Sequence, residues 1–250
     1  MTPDFVARVT IAAFIALAFL LPAIAQDPAY HRFADQRSWL GIPNAANVLS
    51  NLALVATGVY GAIALLSSRR AQLRNATAIS VWCVAVGFIL TGCGSAWYHL
   101  RPSDATLVWD RLPMTLVLTG VMSAAVAERI GENVARSALP MLIVFGVASV
   151  VYWRATGNVT PYGVFQFGGA AALIVLLATT RRGDDPFAWW WIAGWYCAAR
   201  LAELADEKLW NATAGVVSGH TLKHFAAAAA GATIFYSLRN RYAGRRSTAA

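Results

Sequence analysis

Charge is scarce in this sequence. Only 13% of its 250 residues are Asp, Glu, Lys or Arg, where soluble domains carry about a quarter, and no polar stretch is long enough to hold a separate core. Cysteine is nearly absent. Cys83, Cys93 and Cys197 lie inside apolar blocks, without CxxC spacing and without a cysteine-rich loop, so they are read as buried packing residues. Internal repeats and low-complexity segments are lacking too, which weighs against a transporter assembled from repeated halves. A net charge of +8 could suggest nucleic acid, but the 20 Lys and Arg sit mostly in short loops between apolar blocks. Basic residues so placed set orientation in a bilayer, and a nucleic-acid partner is excluded.

What the chain does have is apolar length. It is 58% hydrophobic with a mean hydropathy of +0.52, and seven apolar blocks follow one another: Ala45 to Ser67, Ala78 to Leu100, Leu107 to Ala127, Ala138 to Trp153, Tyr162 to Thr180, Phe187 to Ala205, and Gly219 to Tyr236. In hydrocarbon each backbone amide must be satisfied within its own segment, so blocks of this length are expected to be helices. The expected architecture is all-α, a polytopic seven-transmembrane-helix bundle over 45–238. Ahead of it, Val9 to Ala25 ends in Ala23-Ile24-Ala25 and reads as a signal peptide or an extra transmembrane helix, residues 1–25. Residues 26–44 form an outer-side segment under either reading, and 239–250 a basic cytoplasmic tail. Counted on alternate sides of the blocks, Arg69, Arg70, Arg74, Arg129, Arg136, Arg181, Arg182, Arg239, Arg241, Arg245 and Arg246 make eleven. Arg32, Arg37, Arg101, Arg111, Arg154 and Lys208 make six on the other side. The first side is expected to be cytoplasmic, which puts the C-terminus inside.

Histidine carries the chemical signal. Of four histidines, three fall at block ends: His99 closes the second block, while His220 and His224 open the seventh. A spacing of four puts two rings on one helix face, where they can converge on one ion. The expected orientation brings His99 to the same outer depth. Neutral imidazoles suit zinc, and three of them leave a fourth position for water, whose pKa the ion lowers toward about 7. Ser95, one turn before His99, and Asp110, opening the third block, share that depth, and intramembrane polar residues are costly unless paired or functional. Each also has a blander reading: Asp110 as a partner of Arg111 or a helix cap, Ser95 bonded back to the carbonyl of Thr91, Lys223 snorkelling or paired with an acid. Arg200, Glu203 and Asp206 share a face at i, i+3 and i+6, and mutual pairing is the favoured account. Trp189, Trp190 and Trp191 read as an interfacial belt, and His31 as a loop residue.

Three runs of residues carry a family resemblance. Gly92-Cys93-Gly94-Ser95-Ala96-Trp97-Tyr98-His99, Trp109-Asp110-Arg111-Leu112-Pro113-Met114 and Ser218-Gly219-His220-Thr221-Leu222-Lys223-His224, with Asn47-Val48-Leu49-Ser50-Asn51, resemble the GxGSxxxH, DxxPM and HxxxH signatures of alkaline ceramidases. That family lies within a superfamily of seven-helix membrane hydrolases that also includes the progestin and adiponectin receptors. The resemblance implies a zinc-dependent hydrolase of the amide bond in ceramide-like or other N-acyl lipids, in a bacterial inner membrane. It implies His99, His220 and His224 as zinc ligands, Asp110 as general base and proton shuttle, and Ser95 as an oxyanion or supporting hydrogen-bond donor. The acidic calcium site of eukaryotic members is not matched: Asp35 is the only acid between Pro28 and Asn51, and Asn44 stands where that family has Glu. Calcium dependence and strict ceramide specificity therefore do not carry over. The rival reading is a non-catalytic lipid receptor with a zinc core, against which stands the lack of a large cytoplasmic domain to carry its output. The oligomeric state is not legible.

Overall fold

A computed structural model describes residues 3–67, 75–180 and 187–247. The loop residues Arg69, Arg70, Arg74, Arg181 and Arg182, used above for orientation, lie outside the described residues.

The chain is an all-α membrane protein. Helix α1 spans Pro3–Leu20, α2 Ala45–Ser67, α3 Ala76–Leu100, α4 Asp104–Arg129 and α5 Glu132–Thr156. Next come α6 over Thr160–Thr179, α7 over Trp189–Leu204, a short α8 over Asp206–Ala212, and α9 over Gly219–Ser247. Each of the seven apolar blocks falls on one of these helices. Four of them, α2, α3, α5 and α6, are long and apolar enough to cross a membrane. The α9 helix runs on through Ser247, so the basic stretch after Tyr236 continues it. The α1 helix packs against α5, with Phe14 edge-on to Phe145 and Phe19 edge-on to Tyr152.

Several ends are set by recognisable caps. Asn75 accepts from the N–H of Ala78 to open α3, and Ser103 accepts from Thr106 to open α4. Such caps satisfy amides that have no intrahelical acceptor. Glu132 reaches across to the N–H of Ala76 at 2.6 Å, tying the start of α3 to the start of α5. At this end of the bundle the core is apolar, with Leu65, Val81, Phe235 and Leu238 fully buried.

At the opposite end the packing is closer and more polar. A Cβ on Gly94 of α3 would lie 1.9 Å from the carbonyl oxygen of Trp109 in α4, so only glycine permits this approach. The reason that carbonyl is available sits four residues on: Pro113, inside α4, has no N–H to give it. A second seam repeats the device. A Cβ on Gly219 at the start of α9 would lie 2.0 Å from the carbonyl oxygen of Ala202, in the last turn of α7.

Three expectations from the sequence are corrected here. Cys93 and Cys197 are exposed on the helix surface and Cys83 is half-buried, because in a bilayer an apolar block faces lipid as readily as protein. Trp190 and Trp191 are exposed, but Trp189 is buried and donates its indole N–H to Glu128 at 2.9 Å, so it belongs to the core rather than to a belt. The sixth block breaks at Ala205, and Asp206 begins a separate helix. It therefore leaves the face of Arg200 and Glu203.

Candidate functional site

The three block-end histidines meet. His99, His220 and His224 are buried, and one ring nitrogen of each lies within 4.8 Å of the others. Nε2 of His99 and Nε2 of His220 stand 3.2 Å apart. Two nitrogens bound to one tetrahedral zinc at about 2.0–2.1 Å would be separated by about 3.3 Å. The third ring is oriented by α2. The Ser50 hydroxyl donates to the carbonyl of Asn47 at 3.1 Å and stands 2.7 Å from Nδ1 of His224. A hydroxyl has one proton to give, so His224 Nδ1 carries its own hydrogen and donates it to Ser50. This leaves the lone pair on Nε2, which is buried without a hydrogen-bond partner. An orphaned imidazole nitrogen beside two others is a donor set that fits a divalent cation of zinc type. His99 lacks such support at Nδ1, which has no hydrogen-bond partner, and its ring is held by packing against Phe33 and Tyr98, at centroid distances of 4.7 and 5.0 Å.

Ser95 and Asp110 come together across the glycine seam of α3 and α4, with the hydroxyl beside the carboxylate on one cavity wall. The bond back to Thr91 and the pairing with Arg111 are not what is found. Arg111 turns away and lies over the rings of Trp153, Tyr162 and Tyr30 at 4.2, 4.8 and 5.2 Å, with one hydrogen bond to Gln26. Its aromatic cage is worth a few kcal/mol at most, and it fixes residues 26–30 beside the site.

Ser95, Asp110 and His224 line one cavity of about 180 Å³, which runs down between α4, α6 and α9 past Phe88, Val117 and Ile234. One end is thus polar and the other apolar. A larger groove, about 550 Å³, opens outward at Leu90, Trp97 and Trp109, but Cys93 is its only titratable group and it is lipid-facing surface.

Sequence reasoning missed several supporting residues. Asp206 accepts from the N–H of His220 at 2.7 Å and from the N–H of Ala34 at 2.9 Å. It caps the histidine-bearing helix and fastens residues 26–44 over the site. His31, taken as a plain loop residue, stands 2.9 Å from the hydroxyl of Tyr98 and 3.1 Å from Asp104. Phe33 lies against both His99 and His220. Gln166, buried on a π-turn over Val164–Gly168, also reaches the cavity; such turns occur often at functional sites. Lys223 pairs with Glu203 at 3.0 Å, and Glu203 also pairs with Arg200. As for calcium, Asp35 is buried and both its oxygens accept hydrogen bonds from Arg37, at 2.7–3.0 Å.

The ceramidase family model matches residues 41–188. That is more than half of the chain. The protein belongs to the ceramidase family. The family implies a hydrolase acting on amides, and a ceramide-like lipid as substrate class. The matched segment contains Ser95, His99 and Asp110, while His220 and His224 lie beyond it and join the site through the fold. No curated protein matches the chain at a significant level.

Proposed function

We propose that this ceramidase-family protein is a zinc-dependent intramembrane amidase that hydrolyses ceramide-like or other N-acyl lipids to a free fatty acid and an amine. The observation that carries the proposal is the convergence of three buried imidazoles, one with an unspent nitrogen, beside Ser95 and Asp110 at the polar end of an apolar cavity. His99, His220 and His224 would hold the ion. Zinc supplies Lewis acidity, which acidifies a water toward neutrality and polarises a carbonyl.

The chain's own residues do the rest. The apolar walls at Phe88, Val117 and Ile234 take the acyl chain and hold the amide at the polar end. Asp110 takes the proton that water gives up as its oxygen bonds to the carbonyl carbon. It returns that proton to the amine nitrogen as the C–N bond breaks, so one water is consumed for each acid and amine released. Ser95 holds one carboxylate oxygen in place, leaving the other for the proton, and its hydroxyl can be redirected to the carbonyl oxygen as charge develops there. Phe33, with residues 26–44, covers His99 and His220 and keeps bulk water out.

The eleven-to-six division of basic residues supports seven membrane spans, a cytoplasmic C-terminus and a site opening to the outer face of a bacterial inner membrane. The deciding experiment incubates the purified protein with a panel of N-acyl lipids and analyses the products by mass spectrometry. Release of fatty acid is expected, and binding of these lipids without release would make the protein a receptor instead. A reporter fused after Ala250 is expected to be active only in forms that work in the cytoplasm.

A further inference from the structure

Arg200 and Glu203 on α7 and Lys223 on α9 line the same cavity as Ser95, Asp110 and His224. They are largely buried, with side-chain exposures of 27%, 13% and 18%. Charges at membrane depth are expensive and persist where they are paired or used. The pairing here does not balance. Glu203 gives one oxygen to Arg200 and the other to Lys223, so two cations share one carboxylate and the trio carries a net charge of +1. An ammonium has three donors and a guanidinium five. One donor of each reaches Glu203, and the remaining contact of Arg200 is with the ring of Phe167, at 4.8 Å. Asp110, the other acid on the cavity wall, makes no direct ion pair with either cation, although its charge and that of Lys223 act on each other. Unspent donors on two cations that share one directly paired carboxylate therefore stand beside the reacting residues, with Lys223 next in sequence to His224.

We propose that Arg200 and Lys223, bridged by Glu203, form a binding site for an anionic oxygen group, carboxylate or phosphate, on the amine side of the scissile amide. The preferred substrates are then acidic N-acyl lipids rather than neutral ceramide. This rests on the amidase reading of the cavity, and it assigns the headgroup that the family resemblance leaves open. A fork of guanidinium donors suits a planar carboxylate, while the ammonium acts as a point charge that a phosphate satisfies equally well.

The test uses two matched pairs of lipids. N-palmitoylglycine is compared with N-palmitoylethanolamine, and ceramide 1-phosphate with ceramide, which separates carboxylate from phosphate. Binding is measured by calorimetry in detergent on full-length protein stripped with a chelator, and turnover on untreated protein. In at least one pair the acidic member is expected to bind about tenfold or more tighter, in keeping with hydrogen bonds to a charged partner. That ratio should follow the charge of the trio. It falls toward one in Lys223→Gln and Arg200→Gln, rises in Glu203→Gln, and returns in the double variant Glu203→Gln with Lys223→Gln, where the net charge is again +1. A purely structural salt bridge would not give that return. If one variant fails to fold, the remaining ones still carry the comparison. Equal binding within both pairs, or a ratio that ignores the charge series, overturns the proposal. Preferential binding without fatty acid release from any lipid would refute the amidase reading and leave this site standing. Release without preference would do the reverse.

Discussion

The two glycine seams at the polar end of the bundle use one device for different purposes. At Gly94, α3 rests on a backbone carbonyl that a proline has freed inside a helix that continues. At Gly219, α9 rests on a carbonyl in the last turn of a helix that stops. The first seam brings a hydroxyl to a carboxylate, Ser95 to Asp110. The second delivers His220, with Asp206 capping its N–H, and so sets two of the three imidazoles. In a bilayer there is little hydrophobic drive between helices, and small residues at the interface let close packing hold them together. Here that close approach is spent where polar groups must meet. On the proposed function, one seam moves protons and the other holds metal.

The sharpest way to break this division is at the second seam. His224→Ala is expected to remove the ion and with it hydrolysis, by about a thousandfold or more, and His220→Ala likewise; metal content and turnover are measured together. Damage at the first seam should look different. Asp110→Asn is expected to keep its metal while losing about a hundredfold or more in kcat, as removal of a general base does. Ser95→Ala should cost less, about tenfold, if it supplies one hydrogen bond; an equal or larger loss would point to a nucleophilic serine.

The glycines themselves offer a finer comparison. Gly94→Ala and Gly219→Ala each force a methyl onto a backbone oxygen, and overpacking of this kind costs about 1–3 kcal/mol. Both should lower the unfolding temperature in detergent. Metal content should fall further in Gly219→Ala, because that helix carries two ligands against one.

The smallest expected effect lies outside the seams, at the segment over the site. Burial pushes the carboxyl of Asp35 up, but hydrogen bonds from the Arg37 side chain and backbone, with its charge, outweigh this and hold it below the ordinary value of 3.8. A group whose folded pKa is depressed stabilises above its unfolded pKa, and that contribution is lost as pH falls through the folded value. Stability should therefore decline on the acid side of the ordinary carboxylate range, and that decline should shrink in Arg37→Gln, which loses the interactions that hold the folded pKa down. Thermal unfolding followed across that range in both proteins checks it.

Much of this site could be read before any coordinates. Periodic apolar length fixes helices in hydrocarbon, so the blocks and the depth of His99, Asp110 and His220 followed from spacing and from alternation of direction. The supporting contacts did not follow. A continuous helix would set Asp206 on the face of Arg200 and Glu203 as a further partner for the arginine, and nothing local in the sequence announces the break at Ala205. His31 and Phe33 act through residues 65 or more positions away, a separation at which a single sequence carries no pairing signal. The pairing of Gly94 with the carbonyl that Pro113 frees is likewise invisible in either motif alone. Cys93 and Cys197 are exposed despite their apolar surroundings, because the rule that apolar segments are buried belongs to water, not to lipid.

The account turns on whether the three imidazoles hold an ion. Elemental analysis of full-length protein purified without chelator, beside His224→Ala prepared identically, tests this most directly. About one zinc per chain in the former and almost none in the latter is expected from a three-histidine site. Less than about a tenth of an equivalent in the unaltered protein, where binding of structural-grade tightness is anticipated, or equal metal in both proteins, would contradict it.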